Sequence, residues 1–311
     1  MPSLTIRHVT TYRYRQPVAF GEHRMMLRPR DSLDQRVIEA NLQISPRPSS
    51  LRFAQDSFGN HVGIAQFSRR SKELCFESIV SLEHRPPDPA DLDFNDTAGI
   101  FPSRYSTDEM PDLARYIERH DIDPENRVAH WVQQFLPQSG SIGTFKLLTQ
   151  ISQGIKHTFR YRRREAKGIQ QPVETIRLGH GSCRDFAMLL IEASRSLGFA
   201  ARFASGYLAV PLGDWDEPRS SARGSTHAWA QVYLPETGWV AFDPTSGSVG
   251  NVDLLTVAVA RDPRHTIPLH GTFIGRPSDH LGMDVEVSVT FDAPETLWAA
   301  AASPPHSVRP N

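Results

Sequence analysis

Three side chains in this sequence could together carry out nucleophilic chemistry: Cys183, His227 and Asp243. A thiolate can attack a carbonyl carbon, an imidazole can take and return the proton, and a carboxylate can orient the imidazole. Cys183 follows the run Gly179-His180-Gly181-Ser182 and precedes apolar residues at helical spacing: Phe186, Leu189, Leu190, Ala193 and Leu197, with Gly198 as a stop. Ser182 reads as the N-cap and Asp185 as the acidic partner of a capping-box-like arrangement, which places Cys183 at the first helical position. A helix start favours thiolate over thiol and offers a backbone N–H to a developing oxyanion. That contribution is on the order of 0.3 to 1 kcal/mol, against about 1.4 kcal/mol per pKa unit, so a base is still required. Most free cysteines pack as small apolar residues, but a core cysteine needs neither the preceding glycines nor the cap.

The base and its orienter fall on a predicted hairpin. Thr226 to Leu234 alternates as a strand with Ala228, Ala230, Val232 and Leu234 on one face, and Trp239 to Asp243 returns after Pro235-Glu236-Thr237-Gly238. His227 and Asp243 are both odd-numbered, so they share a face only if the loop has an odd number of residues. A three-residue loop Glu236-Thr237-Gly238, with Gly238 as the bulge residue, meets that condition. Other histidines, among them His8, His23, His61, His157, His180, His265, His270 and His280, show no HExxH or paired Cys/His spacing. No metal and no cofactor are therefore expected, and no GxSxG elbow, P-loop or GxGxxG loop occurs.

The remaining composition narrows the setting. Thirty-five acidic residues nearly balance thirty-four basic ones, which argues against a nucleic-acid partner. The longest basic cluster, Arg160 with Arg162, Arg163, Arg164 and Lys167, reads as a solvated loop edge. Two cysteines, Cys75 and Cys183, exclude a disulfide framework and suggest a reducing compartment. Cys75 lies on the polar face of a strand and reads as structural. The first residues have no apolar signal core and no stretch reaches the length of a membrane span, so a cytoplasmic location without membrane partners is expected.

The elements that must position the three residues divide the chain. Residues 1–90 read as a β-rich domain, a sandwich with strands near 4–14, 37–44 and 73–82 and a turn at Asp56 to Asn60. The Pro- and Asp-rich stretch from 85 to 96 breaks the alternation, and the linker is set at 91–111. Residues 112–250 form the expected catalytic core, with helices at 112–120, 124–136 and 144–157 before the Cys183 helix, Pro124 in a first turn, and strands at 200–210, 227–234 and 239–243. Residues 251–311 read as a β-like extension with a disordered end. The fold class is α+β.

These motifs carry a resemblance. Gly181-Ser182-Cys183-Arg184-Asp185-Phe186-Ala187, then Arg195-Ser196-Leu197-Gly198-Phe199-Ala200-Ala201-Arg202, Gly206-Tyr207, His227-Ala228-Trp229 and Gly238-Trp239-Val240-Ala241-Phe242-Asp243-Pro244-Thr245 resemble the transglutaminase-like superfamily. The segments His8 to Tyr14, Pro17-Val18 and Leu27-Arg28-Pro29-Arg30 resemble the β-rich N-terminal domain of its bacterial members, and Ala260 stands where a glycine commonly precedes Arg-Asp. The resemblance implies a papain-like core, a helix packed on an antiparallel sheet, with Cys183 as nucleophile, His227 as base and Asp243 as orienter. It further implies acyl transfer on an amide or isopeptide bond of a peptide or protein through a thioester, ending in hydrolysis or transamidation. A binding or scaffolding protein that keeps the fold without turnover is the alternative of another class. The loop from Pro211 to Ser225 is expected to border the cleft, with Trp215 and Trp229 as candidate substrate contacts. Oligomeric state has no signature in the sequence.

Overall fold

The computed structural model describes residues 3–86, 99–102, 105–164, 168–211 and 222–291. Its first part is all strand: β1 (Ser3–Met25), β2 (Gln35–Ser45), β3 (Ser50–Gln55), β4 (His61–Gln66) and β5 (Ser71–His84). A short β6 (Ile100–Phe101) pairs with β7 (Ile142–Gly143), and β8 (Arg160–Tyr161) runs parallel to β9 (His180–Gly181). The helices are α1 (Met110–Ile117), α2 (Arg127–Val132), α3 (Thr144–Thr158), α4 (Pro172–Leu178) and α5 (Cys183–Ser196). The remaining strands are β10 (Ala201–Pro211), β11 (Ala222–Leu234), β12 (Gly238–Asp243), β13 (Ser248–Val249), β14 (Leu254–Ala260), β15 (Leu269–Ile274) and β16 (His280–Phe291). The architecture is α+β, as expected.

β1 organises the N-terminal part. Between Ser3 and Arg13 it pairs with β5 on one edge and β16 on the other, and between Ala19 and Met25 it pairs with β15 and β4. Tyr14, Val18, Phe20 and Met25 of β1 pack with Leu27, Ala65, Leu74 and Phe76 in one apolar cluster. The alternation of β5 holds: Leu74, Phe76, Val80 and Leu82 are buried, while Cys75 is half-buried on the other face, with the Thr11 hydroxyl 3.6 Å from its Sγ. The strands after residue 251 do not stand apart. β14 adds to β10, and β15 and β16 complete the sheets begun by β1, so that one 12-stranded sheet runs through both halves of the chain.

The mixed helix-and-strand part of the chain is built around α5. Phe186, Leu189, Leu190 and Ala193 pack against Ala228, Ala230, Val232 and Leu234 of β11 in the largest apolar cluster. Burying each large side chain contributes roughly 1.5 to 3 kcal/mol, so this layer ties the helix firmly to the sheet. One predicted helix start is corrected. α2 begins at Arg127, three residues after Pro124, because the Asp123 carboxylate accepts the N–H groups of Arg127 at 2.8 Å and Val128 at 3.0 Å. Residues 87–98 and 103–104 of the linker region, and the predicted disordered end beyond 291, lie outside the described residues. Among the described residues no helix is long and apolar enough to cross a membrane.

Gly206 of β10 pairs with His227 across the sheet. A Cβ there would come 2.0 Å from the Leu255 carbonyl oxygen and 3.0 Å from Trp229 Cη2. Gly206→Ala is expected to cost about 1 to 3 kcal/mol, since backbone and a buried ring must both give way. A urea midpoint equal to wild type would contradict that packing.

Candidate active site

The turn that delivers Cys183 is held by a buried carboxylate. Asp185 is fully buried and accepts five hydrogen bonds: from the Ser182 N–H (2.8 Å) and hydroxyl (2.8 Å), the Gln170 N–H (2.7 Å), and Arg164 through Nε (2.8 Å) and Nη2 (3.1 Å). The Ser182 hydroxyl thus donates to Asp185, and the carboxylate caps the Ser182 N–H in turn. Gln170 also donates to the His180 carbonyl at 2.9 Å, fastening the strand just before Cys183. Arg164, expected on a solvated edge, instead makes this two-pronged ion pair, with its side chain 17% exposed. Charge-assisted forks of this kind hold geometry as well as energy.

His227 and Asp243 meet on the hairpin as the parity argument requires. The register pairs Leu234 with Gly238 and Ala230 with Phe242, so the loop has three residues but is Pro235-Glu236-Thr237, one position earlier than expected. Glu236 and Gly238 take positive φ, at 63° and 84°. His227 Nε2 lies 3.0 Å from Asp243 Oδ2, leaving Nδ1 for the thiol. Burial alone would lower the His227 pKa, but hydrogen bonds to Asp243 and Cys183 and the charges of both override it, pushing it up to about 9. Burial would raise the Asp243 pKa, yet the bond and charge from His227, with donors from Ser246 and Thr245, hold it below the ordinary carboxylate value.

The sequence reading did not anticipate Ser246. Its hydroxyl donates to Asp243 Oδ2 at 2.7 Å, and the Thr245 N–H donates to Oδ1 at 2.9 Å. Ser246 Oγ is 2.7 Å from Ser248 Oγ and accepts the Ser248 N–H at 3.2 Å. Since the single Ser246 proton is committed to the carboxylate, Ser248 must be the donor between the two hydroxyls. The signal was present as hydroxyl residues just after an Asp-Pro turn.

Trp229 requires correction as a substrate contact. Its side chain is 0% exposed, and its ring stacks beside His227 with centroids 6.2 Å apart and planes at 26°. It shares an apolar cluster with Ala204, Ala241, Leu254 and Val259 of neighbouring strands, and Phe58 packs against that cluster. It therefore backs the imidazole and cannot reach substrate. Trp215 and most of its loop lie outside the described residues. Among the described residues no group of three His, Cys, Asp or Glu side chains gathers as metal ligands.

Comparison with known proteins agrees with this arrangement. Residues 4–83 match the bacterial transglutaminase-like N-terminal region and residues 137–244 match the transglutaminase-like superfamily. The chain belongs to the transglutaminase-like superfamily. An uncharacterised protein of Mycobacterium tuberculosis is 28% identical over 295 residues, covering 91% of each chain. One from Mycobacterium leprae is 24% identical over 298 residues, covering 92% of this chain and 98% of its own. Among solved structures, a candidate cysteine protease from Cytophaga hutchinsonii shares the fold with a TM-score of 0.66 at 15% identity, covering 94% of this chain and 98% of its own.

Two consequences can be measured. Asp185→Ala would strand the Arg164 guanidinium and the Ser182 N–H; breaking such a buried pair costs about 3 to 5 kcal/mol, so the urea midpoint should fall sharply. His227 is held at about 9 when folded against an ordinary 6.5, so its stabilisation is complete below pH 6.5 and is lost as pH rises through about 9. The melting temperature of wild type should therefore converge on that of His227→Ala over this range, and a constant gap would contradict the pairing.

Proposed function

We propose that this protein is a cysteine-dependent enzyme that transfers the acyl group of a peptide or protein amide. The observation that carries this reading is His227, bonded through Nε2 to the buried Asp243 and near enough to Cys183, at a helix start, for the thiol to raise its pKa. Cys183 Sγ attacks the amide carbonyl, and His227 holds the proton the thiol has given up. The α5 terminus offers N–H groups to the oxyanion. Collapse breaks the C–N bond, the amine leaves with the proton from His227, and a thioester remains on Cys183. In the second half, His227 takes a proton from water or from a second amine, which attacks the thioester and restores the thiol. Water gives hydrolysis; an amine gives a new amide. Asp243 stays ionised throughout and steers the ring. This chemistry needs a free thiol, in keeping with a reducing, cytoplasmic setting.

Iodoacetamide tests the first half. Cys183 should be alkylated rapidly near neutral pH, and His227→Ala should slow that reaction about tenfold or more at pH 6, because the imidazolium no longer supports the thiolate. An ordinary thiol profile, rising only toward about pH 8.5 in both proteins, would overturn the reading. Turnover should also fall as pH rises through about 9, when His227 can no longer protonate the leaving amine. For the second half, ammonia release from a glutamine peptide is followed with and without a primary amine. Incorporation of the amine identifies a transamidase, and an unchanged product identifies a hydrolase.

A further inference from the structure

The segment running beside the nucleophile is the least absorbed part of the site. β8 lies parallel to β9, pairing Tyr161 with Gly181, and the Arg162 N–H donates to the Gly181 carbonyl at 2.8 Å, two residues before Cys183. Tyr161 is 52% exposed and rests edge-on against Phe186 of the nucleophile helix, with centroids 6.4 Å apart. Four groups act on its phenol electrostatically: beyond burial, which raises its pKa, Cys183 raises it, Arg163 and Arg184 lower it, and Asp243 raises it. The backbone pairing sets Tyr161 and Arg162 beside the turn that leads into Cys183, and Arg184 follows Cys183 directly in the chain. Arg162, Arg163 and Arg184 are exposed, and none has a carboxylate partner among the described residues, whereas Arg164 of the same run is spent on Asp185. In a chain whose formal net charge is −1, three exposed arginines without a carboxylate partner among the described residues, on the segments that flank Cys183, form a local positive field.

We propose that Tyr161 and the basic rim of Arg162, Arg163 and Arg184 form the substrate-selecting wall of the cleft, and that this wall takes an amide donor flanked by carboxylates, an acidic peptide. The proposal rests on the amide-transfer reading above and names the substrate class for the same site. Guanidinium forks bind carboxylates in two-point fashion, and a half-exposed phenol ring gives the peptide backbone a flat apolar seat. Attraction to the rim raises the local concentration of an anionic donor at the thiol, an effect that salt screens over about 8 to 10 Å.

The test compares alkylation of Cys183 by iodoacetate, which is anionic, with alkylation by iodoacetamide, which is neutral. The ratio of the two rates within each protein cancels differences in folding and in thiolate content. In wild type the ratio should exceed that of a small free thiol by about fivefold at low salt and approach it at 0.5 M NaCl. It should drop to or below the free-thiol value in the Arg163→Glu/Arg184→Glu double variant, but not in Arg52→Glu, a charge reversal on the distant β3. A wild-type ratio equal to that of the free thiol, or an equal drop in Arg52→Glu, overturns the proposal. In a second arm, a glutamine peptide flanked by glutamates should protect Cys183 from iodoacetamide better than the same peptide flanked by lysines. Equal protection, or protection by neither, overturns it as well. If the amide-transfer reading fails instead, the neutral reagent reacts slowly in wild type and His227→Ala alike, while the charge ratio still reports the rim.

Discussion

The Asp185 carboxylate sits wholly inside the protein and is surrounded by donors. It is close in sequence to Ser182 but reaches back to Gln170 and to Arg164, so three separate stretches converge on two oxygen atoms. An ion this deep is tolerated only when its charge is paired and its lone pairs are filled. Satisfying it forces β8, β9 and the start of α5 into one arrangement, and that arrangement presents Cys183. Cys183 thus owes its placement to a carboxylate two residues further along the helix.

The opposite wall of the site is set by strand parity. β11 turns its even-numbered residues to α5 and its odd-numbered ones to the opposite face, and the three-residue turn keeps His227 and Asp243 on the same side of the hairpin. Trp229, two residues after His227, stiffens that side by filling the space behind the imidazole. Ser246 and Thr245 then saturate the Asp243 carboxylate from the following turn. The thiol and the imidazole come from different layers, and the apolar contact of α5 with β11 keeps those layers in register.

Local features proved legible in the sequence, and those created by distant pairing did not. The α5 start could be read because cap, glycines and apolar spacing all fall within twenty residues, and the hairpin because alternation has a period of two. Trp229 was misread because alternation tells which residues share a face but not what covers it; Phe58, which packs against its cluster, lies far earlier in the chain. Arg164 looked solvated because its partner lies 21 residues away. The hairpin loop slipped by one position since glycine marks a positive φ without saying whether it ends the loop or begins the strand, and here Glu236 takes a positive φ as well. Family resemblance supplied the overall plan, but β15 and β16 joining β1 is a matter of topology that no local pattern encodes.

The pairing of β1 with β16 bears on how the molecule comes into being. Leu4 bonds across the sheet to Phe291, almost the greatest sequence separation the described chain allows. β1 is synthesised long before β16, so one of its edges stays uncovered while all the chain between them is made. Contacts this remote make folding slow, and an uncovered strand edge is prone to pairing with other chains in the meantime. The native sheet therefore cannot close until β16 has been made, and β1 passes through that interval with one edge open.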